Sequence, residues 1–173
     1  ASDVYKRQVN KARAEEMVEV RKHRLYTKVP IKDCVAETGK SPIAVRWVDV
    51  NKGDQENPEY RSRLVAKEIK KDRRDDLFAA TPPLECKKLL LCSMAVTKVI
   101  GFNGDRAKGM KLDFIDIRRA YFHSPARRKV FVMLPEGDKE EGMCGLLNKS
   151  MYGTRDAAQN WEEAYSEFMV SIG

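Results

Sequence analysis

Apolar and polar positions follow two rhythms along this chain, one near 3.6 residues and one of 2, and the changes of rhythm mark out its elements. Residues 9–25 mix charges with apolar side chains at Ala14, Met17, Val18 and Leu25, which predicts an amphipathic helix. Residues 29–35 read as a short strand, closed by the turn-forming Thr38-Gly39-Lys40-Ser41-Pro42. Over residues 43–50, Ile43, Val45 and Trp47 alternate with Ala44, Arg46, Val48 and Val50, as in a strand. Asn51-Lys52-Gly53-Asp54 turns it, and residues 60–69 return as its hairpin partner after a polar loop containing Asn57-Pro58. On the returning strand Arg61, Arg63 and Lys67 share one face, with Ser62, Leu64 and Ala66 on the other.

The second half continues the alternation of element types. Residues 70–76 are a mixed charge run, read as a solvated loop, and Pro82-Pro83 keeps residues 78–83 extended. Residues 84–100 predict a helix in which Leu84, Leu89, Leu91, Cys92, Ala95, Val96 and Val99 bury most of the surface. A polar glycine-containing loop over 101–109 leads into an apolar, β-branched strand at 111–117. An aromatic turn follows at 120–125, and then a strand at 127–134 with Val130 and Val132 opposite Phe131 and Met133. An acidic loop at 135–142, a short strand at 144–148, a turn at 149–155 and a helix at 156–172 complete the chain. The stripe Trp161, Tyr165 and Phe168 on that helix reads as core. The fold class is α+β, without internal repeats.

The strand at 111–117 carries two carboxylates, Asp113 and Asp116. Positions three apart on a strand face opposite ways, so the two do not share one metal ion. Asp116 stands at the strand's end, before the aromatic turn, where a rigid element presents side chains to a loop. An aspartate there is ordinarily a cap or turn residue, and the context on both sides is what makes it a candidate catalyst.

Charge narrows the class of partner. Lys and Arg number 33 against 26 Asp and Glu, a formal net charge of +7, which suits a polyanion as well as a basic solvated surface. The hairpin's Lys52, Arg61 and Arg63 could grip a triphosphate, Arg as a bidentate fork and Lys as a point charge, or could simply be solvated. Cys34, Cys86, Cys92 and Cys144 form no Cys-x-x-Cys pair and read as small buried hydrophobes, not a zinc site or a disulfide framework. No apolar run approaches the length of a membrane span, and no membrane partner is expected.

Asp116-Ile117-Arg118-Arg119-Ala120-Tyr121-Phe122 resembles the first palm motif of reverse transcriptases, closest to that of copia-type retrotransposons. The resemblance continues in the family's order through Arg46-Trp47-Val48, Asn51-Lys52-Gly53, Tyr60-Arg61-Ser62-Arg63-Leu64-Val65-Ala66-Lys67 and Phe78-Ala79-Ala80-Thr81-Pro82-Pro83. It then takes in Val130 to Gly137, with its Met133-Leu134-Pro135-Glu136-Gly137, and Lys149-Ser150-Met151-Tyr152-Gly153-Thr154-Arg155. The departures are Ile117-Arg118-Arg119 where the family usually has Val-Lys-Thr, and Arg155-Asp156-Ala157-Ala158-Gln159 where it usually has Lys-Gln-Ala-Pro and a basic residue, so that the Pro and one positive charge are missing.

The resemblance implies the fingers (28–83) and the first part of the palm (84–173) of a right-hand polymerase. Residues 1–8 are set apart as an artefact, because Asp3-Val4-Tyr5-Lys6-Arg7-Gln8 resembles the translation of a sequencing-library adapter. The implied activity is RNA-directed DNA synthesis by two-metal nucleotidyl transfer, with Mg²⁺, an RNA template, a DNA primer and deoxynucleoside triphosphates. The implied setting is an intracellular Pol polyprotein, in a cytoplasmic particle or the nucleus, whose protease, integrase and RNase H lie elsewhere. Asp116 is then the first catalytic carboxylate and metal ligand, with the carbonyl of Ile117 beside it. Lys52 and one of Arg61 or Arg63 hold phosphate, and Arg119 and Ala120 offer backbone amides. Tyr121 lies under the sugar and excludes a 2′-hydroxyl, although an ordinary core aromatic would look the same. Tyr152 and Gly153 line the nucleotide pocket.

The family's second acidic motif, Tyr-x-Asp-Asp, is absent before Gly173, so the metal site is expected to be completed by residues beyond this chain. The alternative reading is a noncatalytic nucleic-acid-binding remnant of a transposable element. The polypeptide alone is expected to show no polymerase activity; metal-dependent primer extension by the purified chain is the measurement that would contradict this.

Overall fold

The structure, a computed structural model, describes residues 2–54, 56–69, 83–100 and 115–172. The chain divides into two units, one of Ala1–Phe78 with Arg119–Gly173 and one of Ala79–Arg118. The loop expected at 70–76, the glycine-containing loop at 101–109 and residues 111–114 of the expected strand lie outside the described residues.

The first unit is built around helix α1 (Ser2–Lys22). Its buried line is Val9, Ala12, Glu16, Met17 and Val20, spaced as one helical face. The expected face through Ala14 and Val18 is corrected, since Ala14 is exposed and Val18 is 58% exposed. Two apolar rows compete on this helix, and the one holding Val9, Ala12, Met17 and Val20 has more apolar surface to bury. The helix ends in a Schellman turn. Arg24 is left-handed at φ 50°, its amide bonds the Arg21 carbonyl at 3.0 Å, and the Leu25 amide bonds the Val20 carbonyl at 3.0 Å.

Strand β1 (Tyr26–Pro30) follows, and then helix α2 (Ile31–Thr38), where a strand over 29–35 was expected. The reason is register. β1 pairs from Tyr26↔Leu147 to Pro30↔Met143, and its partner strand begins at Met143, so no ladder remains for residues beyond Pro30. Gly39, at φ 65°, closes α2 with its amide on the Val35 carbonyl.

Strands β2 (Val45–Asn51) and β3 (Tyr60–Ala66) form the expected antiparallel hairpin, in register from Val45↔Ala66 to Asn51↔Tyr60. Ser62, Leu64 and Ala66 are buried and Arg61 and Arg63 exposed, as the alternation predicts. A second sheet has the order β1-β5-β4, with β4 (Phe131–Val132) and β5 (Met143–Leu147). The strand expected over 127–134 is thus short, but its alternation holds. Val130 and Val132 join one core cluster, Phe131 the other. Ile43 joins the hairpin to this sheet: its amide bonds the Phe131 carbonyl and its carbonyl the Met133 amide, each at 2.8 Å.

The larger core cluster gathers Met17, Val20 and Leu25 with Leu64, Ala66, Phe122, Val130, Val132, Leu147 and Met151. The smaller one holds Cys34, Phe131 and Cys144. Cys34 and Cys144 are buried as expected of small hydrophobes, whereas Cys86 and Cys92 are exposed.

Helix α3 (Leu84–Ile100) belongs to the second unit, and its bounds match the expectation. Its expected burial is corrected at Leu84, Leu89, Leu91 and Cys92, which are exposed with Leu90, while the side chains of Ala95, Val96 and Val99 lie outside the described residues. Three consecutive leucines span most of a helix's circumference, so no single packing partner can cover them. Residues 115–117 are neither helix nor strand, which corrects the expected strand through Asp116. A strand needs a ladder partner, and no described strand pairs with them.

Back in the first unit, helix α4 (Ala157–Ser171) buries Ala157 and Asn160. The aromatic stripe expected to be core is not: Tyr165 and Phe168 are exposed, and the Trp161 and Tyr165 rings face each other at 5.8 Å. The buried line runs one flank over, because Asn160 is fixed in a polar network described below.

α1 is pinned to the hairpin by charge as well as by apolar contact. Arg13 donates to Asp49 from Nη2 at 2.6 Å and Nε at 3.1 Å, and Ser62 Oγ donates to Asp49 Oδ1 at 2.7 Å. The Arg13 guanidinium also lies 5.5 Å from the Trp47 ring centre. The hydrogen bonds from Arg13 hold the Asp49 carboxyl below the usual carboxylate range, against the opposing effect of burial. A depressed carboxyl stabilises the fold above its ordinary pKa near 4, and that contribution disappears as pH falls through the lowered value. Asp49→Asn is therefore expected to cost ~1–2 kcal/mol at neutral pH and progressively less below about pH 4. Urea denaturation of both proteins at neutral and acid pH checks it; an equal difference at both would contradict the assignment.

Candidate functional site

The turn after Arg118 is shaped by one strained residue. Arg119 is left-handed at φ 52°, a conformation costly for a side chain with a Cβ. It precedes a 3₁₀ turn, Ala120–His123, in which the Phe122 amide bonds the Arg119 carbonyl at 2.8 Å. Phe122 drops into the core, which leaves Tyr121 on the neighbouring side, half-buried. The His23 and His123 rings meet edge-on at 4.9 Å and His23 also meets Phe122 at 5.8 Å, tying the end of α1 to this turn. Burial, reinforced by the neighbouring His123, lowers the pKa of His23.

The second wall is the turn at residues 149–155, fastened from three sides. The Ala66 amide bonds the Tyr152 carbonyl at 2.8 Å, and the Ser150 amide bonds the Ser124 carbonyl at 2.9 Å. The Arg155 amide donates to Glu68 Oε2 at 2.8 Å. Glu68 and Asp156 both accept from Arg128 Nη2, at 2.6 and 3.0 Å. Asn160 Nδ2 donates to Asp156 at 3.2 Å and to Ser150 Oγ at 3.0 Å. Burial opposes the charge on Asp156, yet Arg128, a backbone amide and Asn160 together outweigh it and keep this carboxyl below its usual range. Asp156 is thus the buried partner of a half-buried arginine.

Gly153 is required by this geometry. Its φ is +84°, and a Cβ there would lie 2.1 Å from the Ala66 carbonyl oxygen and 2.6 Å from a Val65 methyl.

These two turns bring five of the sequence-predicted site residues into one neighbourhood with the hairpin. The Tyr121 and Tyr152 ring centres are 4.8 Å apart. Arg63 places its guanidinium 5.1 Å from the centre of the Tyr152 ring. Burial raises the Tyr152 hydroxyl above its ordinary pKa, with Arg63 opposing, so the phenol is neutral at physiological pH. Ala120 and Gly153 border the two rings in sequence, and Arg119 precedes the 3₁₀ turn that Ala120 begins. The arrangement offers a cation, two aromatic faces and backbone amides to a phosphorylated, ring-bearing ligand.

Other predicted residues are placed elsewhere. Lys52 is exposed at the hairpin tip, one residue past the last pair, Asn51↔Tyr60. Arg61 is exposed and paired with Glu59 at 2.9 Å. Asp116 and Ile117 belong to the second unit, with Asp116 exposed. A carboxylate and a backbone carbonyl are the hard oxygen donors that Mg²⁺ takes. Among the described residues, however, no group of three or more His, Cys, Asp or Glu side chains could hold a metal ion. Asp116 and Ile117 therefore fit the ion in kind and fall short of it in number.

Sequence reading missed Glu16. It is 3% exposed, in the middle of the apolar line of α1, and accepts from Arg119 Nε at 2.9 Å. A charge interrupting the buried row at i+4 from Ala12 was the available signal.

Gly153→Ala is expected to destabilise the protein by more than ~2 kcal/mol, through the left-handed backbone and the collision with β3. Chemical denaturation measures it; a loss below ~0.5 kcal/mol would show that the turn can move away from Ala66.

A family model described as reverse transcriptase (RNA-dependent DNA polymerase) matches residues 33–173. A curated relative, the retrovirus-related Pol polyprotein from transposon TNT 1-94 of Nicotiana tabacum, is 26% identical over 174 residues. That match covers 96% of this chain and 12% of the relative, so the chain spans about an eighth of the relative's length. No solved structure matches.

Proposed function

This chain belongs to the reverse transcriptase (RNA-dependent DNA polymerase) family, and from that premise we propose that it is the nucleotide-binding part of a copia-type retrotransposon polymerase. In this reading the hairpin and its neighbours are fingers, and the residues from α3 onward begin the palm of a right-hand enzyme. The observation that carries it is the meeting of Arg63, Tyr121 and Tyr152, residues that the family motifs nominate from three separated stretches of sequence.

Arg63 is the hairpin arginine that contacts phosphate, because its guanidinium lies beside the Tyr152 ring while Arg61 pairs with Glu59 at the surface. The amides of Arg119 and Ala120 face the remaining phosphate oxygens. Tyr121 packs under the sugar and rejects a ribose by collision with its 2′-hydroxyl. Tyr152 supports Tyr121 from behind and holds Arg63 by its ring face. Asp116 and the Ile117 carbonyl would hold Mg²⁺, with further ligands from phosphate, water and carboxylates outside the described residues. When bound, that ion neutralises charge on the phosphates and favours the ionised primer hydroxyl. RNA template, DNA primer and the other Pol domains are the partners this role requires.

The test is deoxynucleoside triphosphate binding by the purified chain in Mg²⁺, followed by titration calorimetry. Binding is expected to weaken at least tenfold, about 1.4 kcal/mol, in Arg63→Ala, and to lose its Mg²⁺ dependence in Asp116→Ala. RNA binding unaffected by both substitutions, without triphosphate binding, would instead identify a noncatalytic nucleic-acid-binding remnant.

A further inference from the structure

Glu16 is the least expected charge in the first unit. It occupies a position on α1 where an apolar side chain would complete the buried line of Val9, Ala12, Met17 and Val20. Burying a carboxylate is unfavourable unless its charge is compensated and its oxygens are hydrogen-bonded. Oε2 accepts from Arg119 Nε at 2.9 Å, whereas Oε1 is buried with no hydrogen-bond partner. A carboxylate satisfied on one side only is a poor device for stability alone.

What the pair does achieve is conformational. Arg119 lies 103 residues away in sequence and is one of two non-glycine residues with positive φ among those described. Its side chain is drawn toward α1 by Glu16 and, at 3.9 Å, by Glu19. Its left-handed backbone is the point from which the 3₁₀ turn of Ala120–His123 begins, so the conformation of Arg119 bears on where the Ala120 amide and the Tyr121 ring lie. Glu16 also lies before residues 33–173, so it stands outside the span that the family model matches.

We propose that Glu16 is a positioning residue for the nucleotide site: through Arg119 it fixes the left-handed turn that presents the Ala120 amide and the Tyr121 ring. The role in nucleotide binding rests on the function proposed above; the role in setting the turn does not.

Two readouts on the whole chain separate these. The first is the NMR spectrum of backbone amides and of the Arg119 Nε–H. Glu16→Gln, nearly isosteric, is expected to remove the protected Nε–H signal and to shift the amides of Arg119, Ala120 and Tyr121. The amides around Cys34 and Cys144 should stay in place, which distinguishes a local effect from unfolding. The second readout is binding of dTTP in Mg²⁺, expected to weaken about tenfold in Glu16→Gln. Arg119→Gly supplies the control, since glycine adopts this φ without help. In that background Glu16→Gln is expected to change dTTP binding less than twofold. Unmoved amides at 119–121 in Glu16→Gln would overturn the proposal, as would an equal loss of binding in both backgrounds. If the unaltered chain binds no dTTP, the function proposed above fails, and the NMR arm alone decides whether Glu16 sets the turn.

Discussion

One helix face carries the first unit. α1 lies against β3, and its buried line meets Leu64 and Ala66 from the hairpin, Leu147 from the second sheet and Phe122 from the aromatic turn. Burial of that line is the main favourable term available to elements this small, since a two-stranded hairpin is marginal by itself. The backbone of Ile43 also joins the two sheets. Both walls of the candidate site depend on this packing. The hairpin presents Arg63 because Leu64 is held inward, and the 3₁₀ turn presents Tyr121 because Phe122 is held in the core.

Around this apolar seam the chain places charges that are buried or half-buried and paired over long sequence distances. Arg13 meets Asp49, Glu16 meets Arg119, and Arg128 meets Glu68 and Asp156. Such pairs return little net stability against hydrophobic replacements, because desolvation offsets most of the attraction. They do define geometry. Arg13 and Asp49 join α1 to β2, and the other two groups fasten turns that have no regular hydrogen-bond ladder of their own: Glu16 the turn at 119, and Glu68 and Asp156 the turn at 149–155. The site's backbone is thus held by directional contacts where secondary structure does not reach.

The elements that could be read from sequence are those whose cause is local. The hairpin followed from strict alternation around Asn51-Lys52-Gly53, and α3 from a run of helix formers bounded by Pro83. α2 was misread because Ile31 and Val35 are β-branched, a weak preference that yields once the ladder to β5 has ended. The face of α1 and the burial of α4 were misread for a related reason. Periodicity offers candidate faces, and only the neighbouring elements select among them.

The sequence by itself determined the family, through motifs in a fixed order that the family model over residues 33–173 bears out. It also determined the inward and outward faces of β3, since a period of two leaves a single choice once Leu64 must be buried. The tertiary structure alone decided that Arg63 and not Arg61 reaches Tyr152, and that Arg119 is left-handed. It also decided that a glutamate sits in the apolar line of a helix. The physical reason is the same in each case. A side chain's charge or backbone strain is settled by a partner tens of residues away, and that partner is found only after the chain has packed.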